Sequence, residues 1–200
     1  NGPDGCLYVV DLYRGLIQHK IFLTTYLRKQ IESRGLESPI HLGRIYRVKW
    51  KGGHSTNPRE LTKSNPNDLV KALSDTNGWT RDTAQRLLIE LGDQAPVSQI
   101  RKAALKSKNA LGRRHALWTL EGLSQVNKKL ITHALEDWDG KNRAIAIRLA
   151  ENLLIETKSN AKLTKTILSK VSDPSFEVRQ QLAFSISQLP SQNRAETFAK

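Results

Sequence analysis

Two hydrophobic periods divide the chain. In residues 7–11 (LYVVD) and 43–50 (GRIYRVKW) the pattern is that of strands. In the second run Tyr46, Val48 and Trp50 alternate with Ile45, Arg47 and Lys49, which predicts a sheet with one buried side. Asn1-Gly2-Pro3-Asp4-Gly5 supplies a tight turn into the first strand. Between the two runs lies TTYLRKQIESRGLESP, which predicts a short helix. Thr24 or Thr25 caps it, Leu27 and Ile31 share a face, and Gly35 ends it in a left-handed conformation with Pro39 beyond. The strands are therefore joined by a helical insertion rather than a tight hairpin. Residues 51–66, rich in Gly, Ser, Asn and Pro, read as a linker.

From Asn67 the period becomes helical and a repeat emerges. Leu73, Leu105, Leu135 and Val171 each end an apolar stretch before a turn, at spacings of 32, 30 and 36 residues. Two residues later stands Asp75, Ser107, Asp137 or Asp173. Eight residues after each anchor comes Arg81, Arg113, Arg143 or Arg179, and three further on Ala84, Ala116, Ala146 or Leu182. Each unit reads as helix, turn and helix. In the second helices Ala84, Leu87, Leu88 and Leu91, and again Ala146, Leu149, Ala150 and Leu153, recur at helical spacing. One helix pair cannot bury both its apolar sides, so the units must stack. The pattern places the four anchors at equivalent buried positions and superposes the four arginines. The turn Asp and the Arg can bridge within or between repeats; as an exposed pair this contributes about 0–1 kcal/mol and marks the architecture more than it stabilises it. The expected fold is mainly α: four helix pairs preceded by a small β element with a helical insertion, divided as 1–50, a linker at 51–66, and 67–200.

Charge adds a constraint. The net charge of +13 is spread along the chain: residues 1–60 hold ten Lys/Arg against five Asp/Glu, and residues 61–200 hold 22 against 14. Such a balance favours acidic partners, nucleic acid among them. However, the pairs Arg101-Lys102, Arg113-Arg114 and Lys128-Lys129 lack interleaved aromatics, and Asp82, Glu136, Asp137, Asp139 and Glu177 dilute any stripe, which argues against a nucleic-acid partner. The single cysteine, Cys6, rules out an internal disulfide or a multi-Cys metal site. The five histidines fall in no HExxH or His/Cys cluster, so no metal site is expected. No phosphate loop, nucleophile elbow or Ser/His/Asp set is visible, and no catalytic residue is assigned. No apolar run is long enough for a membrane span. Trp79 and Trp118 read as packing residues of the repeats.

The helix pairs with Asp in the turn and Arg opening the second helix resemble HEAT repeats, an α-solenoid class, over about residues 67–190. Further, GPDGCLYVVDLYRGLIQH with YLRKQIESRGL and LGRIYRV resembles the last β-propeller blade of a bacterial family abundant in planctomycetes. SDTNGWTRDTAQRLLIELGD and RRHALWTLEGL resemble that family's first helical repeats. Its members join a propeller similar to quinoprotein glucose/sorbosone dehydrogenases to HEAT repeats and a c-type cytochrome domain. The resemblance implies an internal piece of a larger haem-binding, dehydrogenase-like protein of the periplasm or cell envelope. The parent would oxidise a sugar or alcohol, with pyrroloquinoline quinone and haem c as cofactors. This stretch would carry neither: it holds no CxxCH, and the earlier blades are not part of it. Its own role would be non-catalytic, a spacer or docking surface whose partners are the propeller and cytochrome domains of the same parent, with a protein partner on the solenoid. Asp11, Arg14 and His19 are the candidates for facing a cofactor channel; the competing role for them is a hydrogen-bonded cluster that fixes the insertion. The alternative for the whole chain is a free-standing basic HEAT module that binds nucleic acid or an acidic protein.

Overall fold

The computed structural model describes residues 1–12, 17, 19–38, 42–52, 58, 60–156 and 161–188. It divides into two compact units, Asn1–Pro58 and Arg59–Lys200.

The first unit holds β1 (Leu7–Asp11), α1 (Thr25–Ser33) and β2 (Arg44–Val48). The strands pair antiparallel, from Leu7 opposite Val48 to Asp11 opposite Arg44. Asp4 anchors the entry turn: its carboxylate accepts from the Cys6 N–H at 3.0 Å and from the Tyr8 hydroxyl at 3.2 Å, and it pairs with Arg47. Thr24 caps α1 by accepting from the Leu27 N–H, and Gly35 closes it at φ +62°. The expected one-sided burial of the sheet is corrected: Leu7, Val9, Tyr46 and Val48 on one face and Val10 and Ile45 on the other are all exposed. Among the described residues, two strands, a 3-10 turn and one short helix supply no layer to cover either face. In α1 only Ile31 is buried, and Leu27 stays exposed.

In its described residues the second unit is a solenoid of four helix pairs: α2 (Pro66–Ala72) with α3 (Gly78–Glu90), α4 (Val97–Lys106) with α5 (Ala110–Gly122), α6 (Lys128–Ala134) with α7 (Gly140–Glu156), and α8 (Ala161–Leu168) with α9 (Phe176–Ser185). The first helices stack in one layer, α2 on α4 on α6 on α8, and the second helices in another, α3 on α5 on α7 on α9. The core lies between the layers and is built from Leu69, Leu88, Ile100, Leu117, Leu120, Ile131, Ile147 and Ile167. Ala84, Ala116, Ala146 and Leu182 are all buried. The anchors divide: Leu73 and Leu135 are fully buried, whereas Leu105 and Val171 are half-buried against the core edge. Leu105 lies within α4, one residue before its end, and Val171 in the 3-10 turn Ser169–Ser172, whereas Leu73 and Leu135 are the C-caps of α2 and α6. Among the described residues no helix is long and apolar enough to cross a membrane.

Candidate functional site

The chemistry of this chain is concentrated at the junctions between repeats. Each turn is built alike. The side chain of Asp75, Ser107, Asp137 or Asp173 accepts from the backbone N–H two residues on, at 2.8, 3.2, 2.8 and 2.9 Å. Such a short polar side chain closes the turn and sets up the next helix. The residue whose N–H donates this bond is itself Asn, Asp or Ser: Asn77 and Asn109 cap α3 and α5, and Asp139 accepts from the Asn142 N–H at 3.1 Å.

The arginine eight residues after each anchor then folds back onto its own turn. Arg81, Arg113, Arg143 and Arg179 donate through Nη1 to the carbonyls of Asp75, Ser107, Asp137 and Asp173, at 2.7, 2.7, 2.7 and 2.6 Å. The rest of the guanidinium reaches the following repeat. Arg113 clasps both oxygens of Asp137 at 2.6 and 2.7 Å, and Arg143 clasps both of Asp173 at 2.8 and 2.6 Å. The bridges therefore run from each repeat to the next, and they are not exposed. The side chains of Arg113 and Asp137 are 5% and 8% accessible, and those of Arg143 and Asp173 12% and 5%. The expectation of a weak surface pair is corrected: a bidentate, charge-assisted contact in a dry junction is a structural rung, and losing one partner strands the other. Burial pushes the Asp137 carboxyl up, but the Arg113 guanidinium, the Asp139 N–H and the Asn142 amide outweigh it and hold the group below the usual carboxylate range. The Arg143 guanidinium holds Asp173 low in the same way.

The first junction departs from this rule. Ser107 has no carboxylate to offer Arg81, so Arg81 Nε donates instead to His115 Nε2 at 3.2 Å. His115 Nδ1 then stands 2.8 Å from Gln85 Oε1. One nitrogen accepts and the other donates, which fixes a neutral imidazole. Burial, then the neighbouring Arg81 charge, lowers its pKa. Close approach completes the junctions: a Cβ on Gly140 would lie 2.5 Å from Ser175 Cβ, and one on Gly112 would lie 1.9 Å from Ser74 Oγ.

Trp118 packs against the core and Trp79 is half-buried. Sequence reasoning missed Trp138, which is 73% exposed and lies over the Arg113 guanidinium, 4.8 Å from ring centroid to Cζ. It also missed Asn142, fully buried, whose amide bonds the Ala110 carbonyl at 3.1 Å. In the first unit Asp11 pairs with Arg44 across the strands at 2.7 Å, and the His19 ring meets the edge of Phe22 at 6.2 Å. Arg14 lies outside the described residues. Among those residues no three His, Cys, Asp or Glu side chains are grouped to hold a metal ion.

A second interaction feature lies in the layer of first helices, where α2 and α4 leave between them a groove of about 460 Å³ with Lys71, Lys102 and Lys106 on its walls. Comparison with known proteins gives a local result. No curated protein matches the chain. A family described as a domain of unknown function, DUF7133, matches residues 1–52 and stops short of the first solenoid helix.

Proposed function

We propose that this chain is a non-catalytic scaffold and docking segment of a larger dehydrogenase-like haem protein. In this reading the solenoid holds a preceding propeller and a following cytochrome domain at fixed separation, while the parent oxidises a sugar or alcohol. The rung system carries the proposal. Buried bidentate bridges tie repeat two to three and three to four, so the helix pairs behave as one stiff rod and not as beads. A rod whose repeated chemistry is spent on its own junctions suits spacing and docking. The uncovered faces of the two-stranded sheet suit a strand pair that neighbouring blades cover in the parent. The separate family match over residues 1–52 fits a module boundary ahead of the rod.

Sequencing the gene on either side tests the reading. Further propeller strands upstream and a CxxCH motif downstream are expected; a start codon and a stop codon flanking this stretch alone would overturn it. Purified chain should not reduce an artificial electron acceptor with any sugar, and turnover would refute the non-catalytic role.

A further inference from the structure

The groove between α2 and α4 differs from the rest of the solenoid surface. Its floor is apolar, formed by Val70 and Ala103, and its walls carry Lys71 from one repeat and Lys102 and Lys106 from the next. Lys71 is already paired with Asp68 at 2.8 Å. Lys102 and Lys106 have no ion-pair partner among the described residues. They stand four residues apart on one helix, so their charges project side by side, about one turn or 5.4 Å apart. The polar end of the groove is formed by two hydroxyls, Ser74 and Ser107, 3.5 Å apart, and among the described residues no carboxylate lines it. The smaller depression on α3 is different: Arg86 on its wall is paired with Glu90, which also pairs with Lys63.

We propose that this groove docks an acidic peptide segment of a partner protein through an apolar anchor. The anchor side chain rests on Val70 and Ala103, and two carboxylates spaced by about a helical turn meet Lys102 and Lys106. The floor decides between acidic partners. A nucleic-acid backbone has no apolar group to place there, and adjacent helices with axes about 8–10 Å apart leave room for a row of side chains, not a duplex. Two cations with no ion-pair partner among the described residues, beside an apolar floor, give a peptide both steering and a surface to cover. The inference rests on the reading of the solenoid as a docking scaffold and specifies its face and its partner's chemistry.

The test uses the full chain and a fluorescein-labelled Glu-Glu-Leu repeat peptide, followed by fluorescence anisotropy. The wild-type chain should bind it at least about tenfold more tightly than a Glu-Glu-Ser peptide of equal charge, because only the former fills the floor. Lys102→Glu with Lys106→Glu should weaken binding at least about tenfold, whereas the same change of charge at Lys162 and Lys165 on α8 should weaken it by no more than about twofold. Gln99→Trp, at an exposed rim position, should block the groove without altering charge or the melting temperature. Equal affinity for both peptides, equal loss from the remote reversal, or no effect of Gln99→Trp would overturn the proposal. So would duplex DNA that competes with the same dependence on Lys102 and Lys106. None of these outcomes bears on the flanking-gene test, so failure of the groove and failure of the scaffold reading are separable.

Discussion

Asp137→Ala measures what a rung contributes. The substitution removes both acceptors of Arg113, at 2.6 and 2.7 Å, and leaves a guanidinium that is 5% accessible facing no charge. It also removes the acceptor of the Asp139 N–H at 2.8 Å and of the Asn142 amide at 3.2 Å. Breaking a buried pair in this way costs about 3–5 kcal/mol, whereas an exposed pair would cost at most about 1. Against a domain stability of about 5–15 kcal/mol the larger figure is decisive. Because the rung spans the junction of repeats two and three, urea unfolding followed by far-UV circular dichroism should lose its single transition and split. Arg113→Met with Asp137→Leu is the control. It replaces the pair with apolar volume, so it should be less damaging than Asp137→Ala alone, while still leaving the Ser107 carbonyl without its 2.7 Å donor. A cost below about 1 kcal/mol for Asp137→Ala, or a double variant as unstable as the sum of its parts, would refute the view that these bridges are buried structural links.

Three further outcomes follow from the junctions. His115 titrates below the ordinary value of 6.5, facing Arg81 and Asp82 from α3 and Arg114 on its own helix, so the stability it contributes is present above that value and is lost as pH falls through its folded pKa; His115→Gln should flatten this part of the stability–pH curve measured by thermal melts, and an unchanged curve would contradict the assignment. Gly140→Ala should destabilise by about 1–3 kcal/mol in urea titrations despite alanine's better helix propensity, because the new Cβ meets Ser175 Cβ, which cannot rotate away. Ser107→Asp should supply Arg81 with the carboxylate that the other junctions have and raise stability by about 1–2 kcal/mol; a lower melting temperature would show that the first junction is shaped differently from its neighbours.

The repeat was legible because its marks are local. Asp75, Asp137 and Asp173 close turns within their own few residues, and an arginine six positions after each reaches back to the same turn. Partner and burial were not legible. That Arg113, besides holding its own turn, reaches Asp137, 24 residues on, is decided by how the pairs stack, and stacking also buries the pair that exposure would have made weak. The strands show the opposite case. Alternation of Tyr46, Val48 and Trp50 announces a strand, and the pairing with β1 follows, but alternation records which face a sheet buries only where a second layer is present to cover it. The groove was invisible for the same reason. Lys71 belongs to one repeat and Lys102 and Lys106 to the next, and in sequence Arg101-Lys102 looks like any solvated basic pair.

Ser107 connects the irregular junction with the groove. Its hydroxyl closes the turn as the Asp carboxylates do elsewhere, accepting from the Asn109 N–H at 3.2 Å, yet it also lines the groove that carries Lys102 and Lys106. A carboxylate at this position would strengthen the first junction through Arg81, but it would bring a negative charge among the lysines and satisfy them internally. The serine leaves Arg81 to the neutral His115 and keeps the groove cationic. The two effects of Ser107→Asp are thus opposed, with a more stable junction and a weaker grip on an acidic peptide. Stability and binding should move in opposite directions in this one variant, a pattern that neither a purely structural serine nor a groove without an acidic partner would produce.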